Sequence, residues 1–323
     1  MRAVMRQNFE KGNLLRDQYA ETMYELMGED SRIILMEADM IACDNTGKIF
    51  RDYPERAIEC GIQEANMIGV AAGMSSVGLI PFCHSFGPFV TRRVADQVCI
   101  SAAYAGLNVK IIGSDPGITA QANGGTHMPF EDGAMMRSIS GVTVLEPSCP
   151  VQYDWMLREM VKEYGVFYVR MERKANIKIY EDGSDFEIGK GVQLTEGSDV
   201  TIFATGAHCL LESFEAVKAL KGDGISARLV DMFSWKPIDE ELIAKCAAET
   251  GCFVTVENHN VMGGFGSAVA EVAVRHCPVP MEFVGVEDRF GQVGTKAYLA
   301  EQYGLTAKDI VDAARKAVLR KHD

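Results

Sequence analysis

The chain has 323 residues, of which 47% are hydrophobic and 24% charged, a composition that excludes disordered and fibrous proteins. Its 32 Lys and Arg residues against 45 Asp and Glu residues give a net charge of −13, and no dense basic segment offsets it. A nucleic acid or an anionic membrane surface is therefore a poor choice of partner. At roughly 100–200 residues per domain, the length predicts two domains.

The nine cysteines are scattered, without a C-x-x-C pair or a histidine at finger-like spacing. We interpret them as free thiols in a reducing cytosol rather than as metal ligands or disulfides. The first residues lack the continuous apolar stretch of a signal peptide, and no run approaches the length of a membrane span, about 18 apolar residues. These features predict a cytoplasmic protein.

Helical periodicity alternates with short apolar runs in the first half of the chain. The predicted elements are helices at about 14–27, 63–76 and 91–104, and strands at 32–36, 79–83, 109–112, 142–145 and 166–169. Buried strands separated by helices are typical of a parallel sheet that is covered on both faces.

The periodicity lapses between Lys174 and Gly197 in a polar, glycine-containing stretch, and then restarts. Strands are predicted at 200–204, 227–230, 252–256 and 281–286, and helices at about 208–220, 240–248, 267–275 and 308–319. Thr306 is the expected N-cap of the last helix. We therefore predict an α/β protein of two consecutive domains with mainly parallel sheets, at residues 12–176 and 198–323, joined by a linker at 177–197.

Glu64 is the first candidate functional residue. It lies in ECGIQEANMIGVAAGM (59–74), after a short apolar strand and at the start of a helix rich in Ala, Gly and Met. From the residue alone a structural role is the simpler interpretation, because an acid at a helix start stabilises the helix dipole by about 0.3–1 kcal/mol. Glu59 is an equal candidate for that structural role.

Two further candidates follow predicted strands. HSFGPF (84–89) places Phe86 and Phe89 where ligands of open α/β sheets gather, so these rings can stack a planar heterocycle, although core packing is the simpler explanation for an isolated pair. The long Gly/Pro loop at 113–129 contains His127, held between Gly124, Gly125 and Pro129. Loops of this length usually build a site, which makes His127 a candidate.

Two glycine-rich sequences are weaker signals. Gly222-Asp223-Gly224 looks like the metal-binding triplet of thiamine diphosphate enzymes, but its position between a predicted helix and a strand indicates a turn. GGFG at 263–266 opens a helix as a phosphate loop does, but no Lys follows it and the G-x-G-x-x-G pattern is missing.

Taken in order, several motifs resemble the transketolase family. ECGIQEANM from Glu59, PFCHSFGPF from Pro81, DQV from Asp96 and GGTHMP from Gly124 are similar to the pyrimidine domain of transketolase and deoxyxylulose-phosphate synthase. TIFATG, VDMFSWKPID, ENHNVMGGFG and DRFGQVG are similar to the transketolase C-terminal domain. The resemblance extends from about Leu14 to Val318.

A full-length transketolase carries, before these two domains, a third one that holds the diphosphate and Mg²⁺ of thiamine diphosphate. The resemblance therefore implies the C-terminal subunit of a split transketolase, which transfers a two-carbon ketol unit from a ketose to an aldose. The expected partner is a separate N-terminal subunit in an α2β2 heterotetramer. We expect that partner to hold the diphosphate and Mg²⁺, and we expect no metal ligand in this chain.

The resemblance also implies roles for residues around the cofactor. Glu64 matches the acid that hydrogen-bonds to the pyrimidine N1′ and promotes its imino tautomer, so we expect it to be catalytic. Phe86 and Phe89 match the aromatic positions around the pyrimidine ring, and Asp39 falls near a position of the cofactor pocket.

For the substrate, His127 matches the loop histidine that hydrogen-bonds to the ketose oxygens and shuttles protons. Arg173 matches the arginine that grips the terminal phosphate, with Arg170 as the alternative, and Arg16 falls near a phosphate-binding position. The chain departs from the family pattern at Ser114, where a histidine is usual, and at Asn123, where an acid is usual. We therefore expect a specialised sugar, for example a sulfonated or branched one.

Three alternatives remain open from the sequence. The β subunit of a 2-oxo acid dehydrogenase shares the two-domain plan and a Glu at position 64. A deoxyxylulose-phosphate synthase-like enzyme shares several motifs. The sequences WKPID from Trp235 and GGTH from Gly124 favour transketolase. A non-catalytic assembly or regulatory subunit is an alternative of another class. The joint presence of Glu64, Phe86 and His127 argues against it.

Overall fold

The computed structural model describes residues 1–321, which fall into two compact units. Unit 1 comprises Met1–Pro116 and Met135–Phe186, and unit 2 comprises Gly117–Ala134 and the chain from Glu187 onward. The strands are β1 (Met5–Lys11), β2 (Ile33–Glu37), β3 (Ala57–Glu59), β4 (Ile80–Phe86), β5 (Lys110–Ser114), β6 (Val142–Leu145), β7 (Val166–Met171), β8 (Ile177–Tyr180), β9 (Val192–Thr195), β10 (Val200–Ala204), β11 (Ala227–Asp231), β12 (Ser234–Lys236), β13 (Phe253–Asn260) and β14 (Met281–Val286). The α-helices are α1 (Leu15–Glu29), α2 (Gly47–Asp52), α3 (Glu64–Ser76), α4 (Asp132–Ser138), α5 (Pro150–Lys162), α6 (Ala207–Gly222), α7 (Glu240–Thr250), α8 (Phe265–His276), α9 (Lys296–Tyr303) and α10 (Ala307–Leu319).

The sheet of unit 1 positions most of the predicted site residues. Its strands pair in parallel in the order β6-β7-β5-β4-β2-β3. Strands β2, β5 and β7 are buried along their whole length, which explains the apolar runs IILM, II and VFYV within them. The pairs Glu37 with His84, Phe86 with Ser114, and Ser114 with Met171 bring the carboxyl ends of these strands to one edge.

The sheet of unit 2 has the order β14-β13-β10-β11-β9. Its strands are parallel except β9, which runs antiparallel to β11. Helix α10 begins at the predicted cap: Thr306 and Asp309 form a capping box in which each side chain accepts the backbone N–H of the other residue. The predicted fold class, two α/β units with mostly parallel sheets, is confirmed.

The segment predicted as a linker, 177–197, contains two short strands. Strand β8 pairs with β1 in an antiparallel ribbon of unit 1, and β9 joins the sheet of unit 2. The domain boundaries proposed from the sequence stay a prediction. Within residues 1–321, no helix combines the length and the apolar character needed to cross a membrane.

The helix predicted at 91–104 is not a regular α-helix. A short 3₁₀ turn at Arg92–Val94 is followed by a π-helix at Gln97–Tyr104. The fully buried apolar residues of this stretch are Val94, Val98 and Ala102, and Val90 just before it is also fully buried. They recur every four residues, a period longer than the 3.6 of an α-helix, so a wider helix keeps them on one face.

Candidate active site

Glu64 is the first residue of α3 and its side chain is 2% exposed. Its carboxylate accepts a hydrogen bond from the Ser85 hydroxyl at 3.2 Å and one from Arg93 Nη1 at 2.6 Å. Because the carboxylate faces one arginine and one hydroxyl in a water-poor setting, it is held in a fixed orientation. Glu59 differs from it, because the exposed Glu59 carboxylate accepts the backbone N–H groups of Asp39 and Gly61, at 2.7 and 2.8 Å.

Aromatic rings accompany the Glu64–Arg93 pair. Phe86 and Phe89 are both half-buried and meet edge to face, with ring centroids 6.1 Å apart. The Arg93 guanidinium carbon lies 4.0 Å from the Phe89 centroid, so one arginine contacts both the buried acid and an aromatic face. Sequence reasoning missed Arg93, because the side chain's role depends on the irregular helical turn that carries it.

Arg173 forms a buried ion pair with Asp115. The parallel pairing of β5 and β7 brings these residues together just beyond Ser114 and Met171, and both Arg173 Nε, at 2.9 Å, and Nη2 donate to the Asp115 carboxylate. The Arg173 guanidinium also lies 5.0 Å from the Phe86 centroid. Burial opposes the charge of Arg173, but the hydrogen bonds and charge of Asp115 outweigh it and raise the pKa of Arg173.

The two alternatives for the anion-binding arginine differ in their surroundings. Arg170 has no exposed surface and donates to Glu146 at 2.8 Å, so its charge is enclosed. Arg16 donates to the Cys43 carbonyl at 3.3 Å, and its Nε lies 3.6 Å from the Asp17 carboxylate. Unlike Arg170, the Arg16 side chain is partly exposed, as an anion-binding role requires.

Ser114 and Asp39 occupy different parts of unit 1. Ser114 is fully buried at the end of β5, where its hydroxyl donates to the Ser85 carbonyl at 3.4 Å. Asp39 is exposed after β2 with a φ of 59°, and it lines a surface pocket of about 570 Å³ together with Glu59, Lys48 and Arg51.

His127 and Asn123 lie in unit 2, on the irregular loop 117–131. His127 ends a 3₁₀ turn, is partly exposed and lies with its Nδ1 at 3.0 Å from the Thr126 hydroxyl. Asn123 is exposed at the neighbouring turn. A side chain at Gly125 would meet the Gly291 carbonyl at 2.3 Å, so glycine is required there for the loop to approach residues 290–293.

Strand β13 anchors this loop from within unit 2. The Asn258 side chain accepts the N–H of Ile118 at 2.9 Å, and the N–H of Asn260 donates to the Phe130 carbonyl at 2.8 Å. His259 Nε2 accepts the N–H of Ala134 at 3.3 Å while its Nδ1 contacts the Asn260 carbonyl, a tautomer assigned from these partners. These bonds attach Ile118, Phe130 and Ala134, on both sides of His127, to β13, which sequence reasoning did not predict.

Both weaker glycine-rich signals have structural explanations. Gly222 ends α6, and Gly224 follows in a turn with a φ of 78°, which confirms the turn interpretation. At the start of α8 the Glu257 carboxylate accepts the N–H groups of Phe265 and Gly266, at 2.7 and 2.9 Å. An anion of the chain itself therefore occupies the position that a phosphate would take.

Sequence reasoning also missed a buried cluster of Glu37, Asp44 and His84. His84 Nδ1 lies 2.9 Å from Glu37 Oε2 and 3.5 Å from Asp44 Oδ2. Burial raises the pKa of Asp44 to about 7 against the opposing effect of His84. Burial lowers the pKa of His84, but the two carboxylates outweigh that effect and the net shift is upward.

Two sequence families match the chain. Residues 13–177 match the transketolase pyrimidine binding domain, and residues 189–310 match the transketolase C-terminal domain. The chain belongs to the transketolase family. The resemblance inferred from the motifs is therefore confirmed, and thiamine diphosphate is the cofactor that this family implies.

Individual relatives show which kind of transketolase this is. The 6-deoxy-6-sulfo-D-fructose transketolase subunit SqwH of Clostridium sp. (strain MSTE9) is 47% identical, over 95% of each chain. A subunit of the apulose-4-phosphate transketolase of Phocaeicola vulgatus is 33% identical, over 94% of this chain and 97% of its own length. A solved structure described as a split-gene transketolase in an inactive β4 tetramer is 39% identical, with a TM-score of 0.87, covering 96% of this chain and 99% of that one. The chain is the C-terminal subunit of a split transketolase, a transferase that works with a separate subunit.

Proposed function

We propose that this subunit supplies the pyrimidine side of an active site that transfers a two-carbon ketol unit from an anionic ketose to an aldose. The observation that carries the proposal is the buried Glu64 carboxylate at the start of α3, fixed by Arg93 and Ser85 beside the rings of Phe86 and Phe89. A scaffold protein gains no stability from burying an acid there that an apolar residue would not also provide.

These residues fit thiamine diphosphate. Two half-buried aromatic rings suit a flat heterocycle, and a buried carboxyl group suits a basic ring nitrogen. When bound, the cofactor supplies an electron sink for breaking and forming the carbon–carbon bond next to a carbonyl. Glu64 holds the proton at N1′, Phe86 and Phe89 pack against the pyrimidine, and Asp39 contributes to the cofactor pocket. The partner subunit holds Mg²⁺ and the diphosphate.

The substrate-binding roles follow from charge and hydrogen-bonding capacity. His127, partly exposed on its loop, hydrogen-bonds to the ketose oxygens and moves a proton during cleavage and condensation. Arg173 and Arg16 bind the anionic end of the sugar. Ser114 and Asn123 replace a bulky and an anionic group of the family pattern, and so set the preference for one sugar over another.

The partner is a separate N-terminal subunit, and we propose an α2β2 heterotetramer in the cytoplasm. The exposed face of α3 supports a protein partner: it carries Ala65, Asn66, Gly69, Val70 and Gly73 and no charged residue, whereas a helix facing water normally presents charges. Ile62, just before α3, is 66% exposed. The nine cysteines, all free, support a reducing compartment.

The assembly is tested by placing an arginine on that face. Nothing lies within 4 Å of the position that a Gly69 side chain would take, so Gly69→Arg leaves the fold intact and favours the helix by up to about 1 kcal/mol. We expect the variant to keep its Tm but to lose co-elution with the N-terminal subunit and ketol transfer. Gly222→Arg, at another open glycine that ends a helix, is the control and assembles normally. Normal assembly of Gly69→Arg would contradict the proposed interface.

The substrate class is a specialised anionic ketose, and the similarity to a subunit named for a sulfonated fructose makes the 6-sulfonated ketose the first candidate. The test compares kcat/KM of the reconstituted enzyme for 6-deoxy-6-sulfofructose, a branched ketose phosphate and xylulose 5-phosphate. We expect the sulfonated sugar to rank first. A reconstituted enzyme that works best on xylulose 5-phosphate would leave transketolase activity in place and remove the specialised substrate.

A further inference from the structure

Glu37, Asp44 and His84, which have no role in the proposed ketol transfer, converge inside unit 1. Glu37 ends β2, Asp44 lies in the turn that follows, and His84 is the residue of β4 that pairs with Glu37. All three side chains have no exposed surface. Within residues 1–321, they form the one group of His, Cys, Asp or Glu side chains whose donor atoms, one from each residue, all lie within 4.8 Å of one another.

The spacing of the donor atoms suits a small metal ion. His84 Nδ1 is 2.9 Å from Glu37 Oε2 and 3.5 Å from Asp44 Oδ2. Nitrogen and oxygen ligands lie about 2.0–2.2 Å from Zn²⁺, so neighbouring ligands of one ion are separated by roughly 2.8–3.6 Å in octahedral or tetrahedral geometry. Two carboxylates and an imidazole are also a donor set that first-row divalent ions accept.

The cluster contains buried oxygen atoms that have no hydrogen-bond partner. These are Glu37 Oε1 and both carboxylate oxygens of Asp44, together with the neighbouring hydroxyls of Tyr19 and Tyr153. The Tyr19 ring lies 5.5 Å from the His84 ring, centroid to centroid, and stacks at 6.3 Å with Tyr153. A buried polar atom without a partner costs about 1–3 kcal/mol. So many in one place indicate that something else satisfies them.

The charges of the cluster also favour a bound cation. Two carboxylates and one imidazole carry a formal charge of −2, or −1 when His84 is protonated. The charge of Arg173 acts on both Asp44 and His84, but Arg173 is already paired with Asp115. Burying an uncompensated carboxylate is costly, whereas a divalent cation would neutralise both acids with His84 neutral.

We propose that Glu37, Asp44 and His84 bind one first-row divalent metal ion, of the Zn²⁺ or Mn²⁺ class, in the interior of unit 1. The ion ties the turn containing Asp44 to strands β2 and β4. That turn also carries Cys43, whose carbonyl accepts a hydrogen bond from Arg16. The ion thus has a structural role: it fixes the backbone that positions Arg16 and is separate from the Mg²⁺ expected on the partner.

The first measurement is the metal content of the full-length chain, produced without a metal-affinity tag and dialysed against metal-free buffer. We expect about one Zn²⁺ or Mn²⁺ per chain, either as purified or after adding back one of these ions, and a Tm that rises with the ion concentration. Wild-type chain that takes up neither ion would overturn the proposal, since this result does not depend on any variant folding.

Variants then locate the ion. Glu37→Gln and Asp44→Asn each remove one anionic ligand at constant size, and we expect the affinity to fall by at least about 10–100-fold, the range for losing even an outer-shell partner. His276→Gln is the control, because His276 and Glu240 lie 3.2 Å apart on the surface and offer an incidental metal site. We expect the control to bind the ion as the wild type does.

A Co²⁺-loaded chain separates the cluster from the nine free thiols. The visible spectrum of Co²⁺ distinguishes nitrogen and oxygen ligands from thiolates. We expect a spectrum without thiolate bands that is lost in Asp44→Asn. A thiolate spectrum, or full binding retained by both acid variants, would assign the ion to another place and overturn the proposal.

Discussion

Replacing Glu64 with Gln separates a catalytic role from a structural one. The amide keeps the size of the side chain: its oxygen can accept from Arg93, and its NH₂ can donate to the Ser85 hydroxyl after a flip. What the variant loses is the negative charge and the ability to hold a proton at a ring nitrogen.

The two effects have different magnitudes. A hydrogen bond to a charged group contributes about 1.5–3 kcal/mol and a neutral one about 0.5–1.5, so the variant should lose about 1 kcal/mol of folding stability. General acid–base catalysis contributes about 10²–10⁴ in rate, or roughly 3–5 kcal/mol of barrier. The loss of activity should therefore greatly exceed the loss of stability.

The assay is hydrogen–deuterium exchange at C2 of thiamine diphosphate in the complex reconstituted with the N-terminal subunit, alongside Tm measurements. Glu257→Gln is the matched control, because the Glu257 carboxylate is also buried at a helix start, where it accepts the N–H groups of Phe265 and Gly266. We expect Glu257→Gln to lose stability and keep the exchange rate. Wild-type exchange in Glu64→Gln would refute the catalytic role.

Three further predictions follow from buried contacts. Burial lowers the pKa of Lys110 to about 7, so between about pH 7 and 10 the unfolded chain binds more protons than the folded one. The free energy of unfolding of the wild type should therefore rise with pH in this range, by up to about 5 kcal/mol. An equal pH dependence of the urea midpoint in wild type and Lys110→Met would contradict this. Asn258→Ala leaves the Ile118 N–H unpaired, so amide hydrogen exchange of residues 117–131 should accelerate by about tenfold. Asn258→Asp keeps an oxygen acceptor and should restore the slow exchange. Unchanged exchange in Asn258→Ala would show that this hydrogen bond does not hold the loop. Asp115→Asn removes the carboxylate that pairs with Arg173. The ratio of kcat/KM for phosphate-ended ketoses to kcat/KM for sulfonate-ended ones should then rise by about tenfold, because phosphate carries more charge. An unchanged ratio would mean that the anionic group of the sugar binds elsewhere.

The order of strands and helices could be predicted because burial imposes a period on the sequence. Strands β6, β10 and β14 have the predicted bounds, since each is a short apolar run between polar turns. Helix α5 was not predicted, although Pro150 lies in its first turn, a position where proline is favoured. The π-helix could not be anticipated from the regular 3.6-residue period.

The side-chain partners of the site could not be predicted, because they depend on strand register. Asp115 meets Arg173 only since Ser114 and Met171 pair across β5 and β7, and His84 meets Glu37 only since β4 and β2 pair in that register. Separations of 58 and 47 residues leave no local signal for either contact.

Buried carboxylates of unit 1 can be sorted by the cation that each one faces. Glu64 faces Arg93, Asp115 faces Arg173, and Glu146 faces Arg170, three ion pairs in which each arginine already has an acid. An arginine in such a pair cannot neutralise a second buried acid without losing the first. Glu37 and Asp44 both pair with the imidazole of His84, one base for two acids. Their charge must therefore be balanced by protons or by an ion taken from solution, and an ion would at the same time give partners to the oxygens that the protein leaves unpaired.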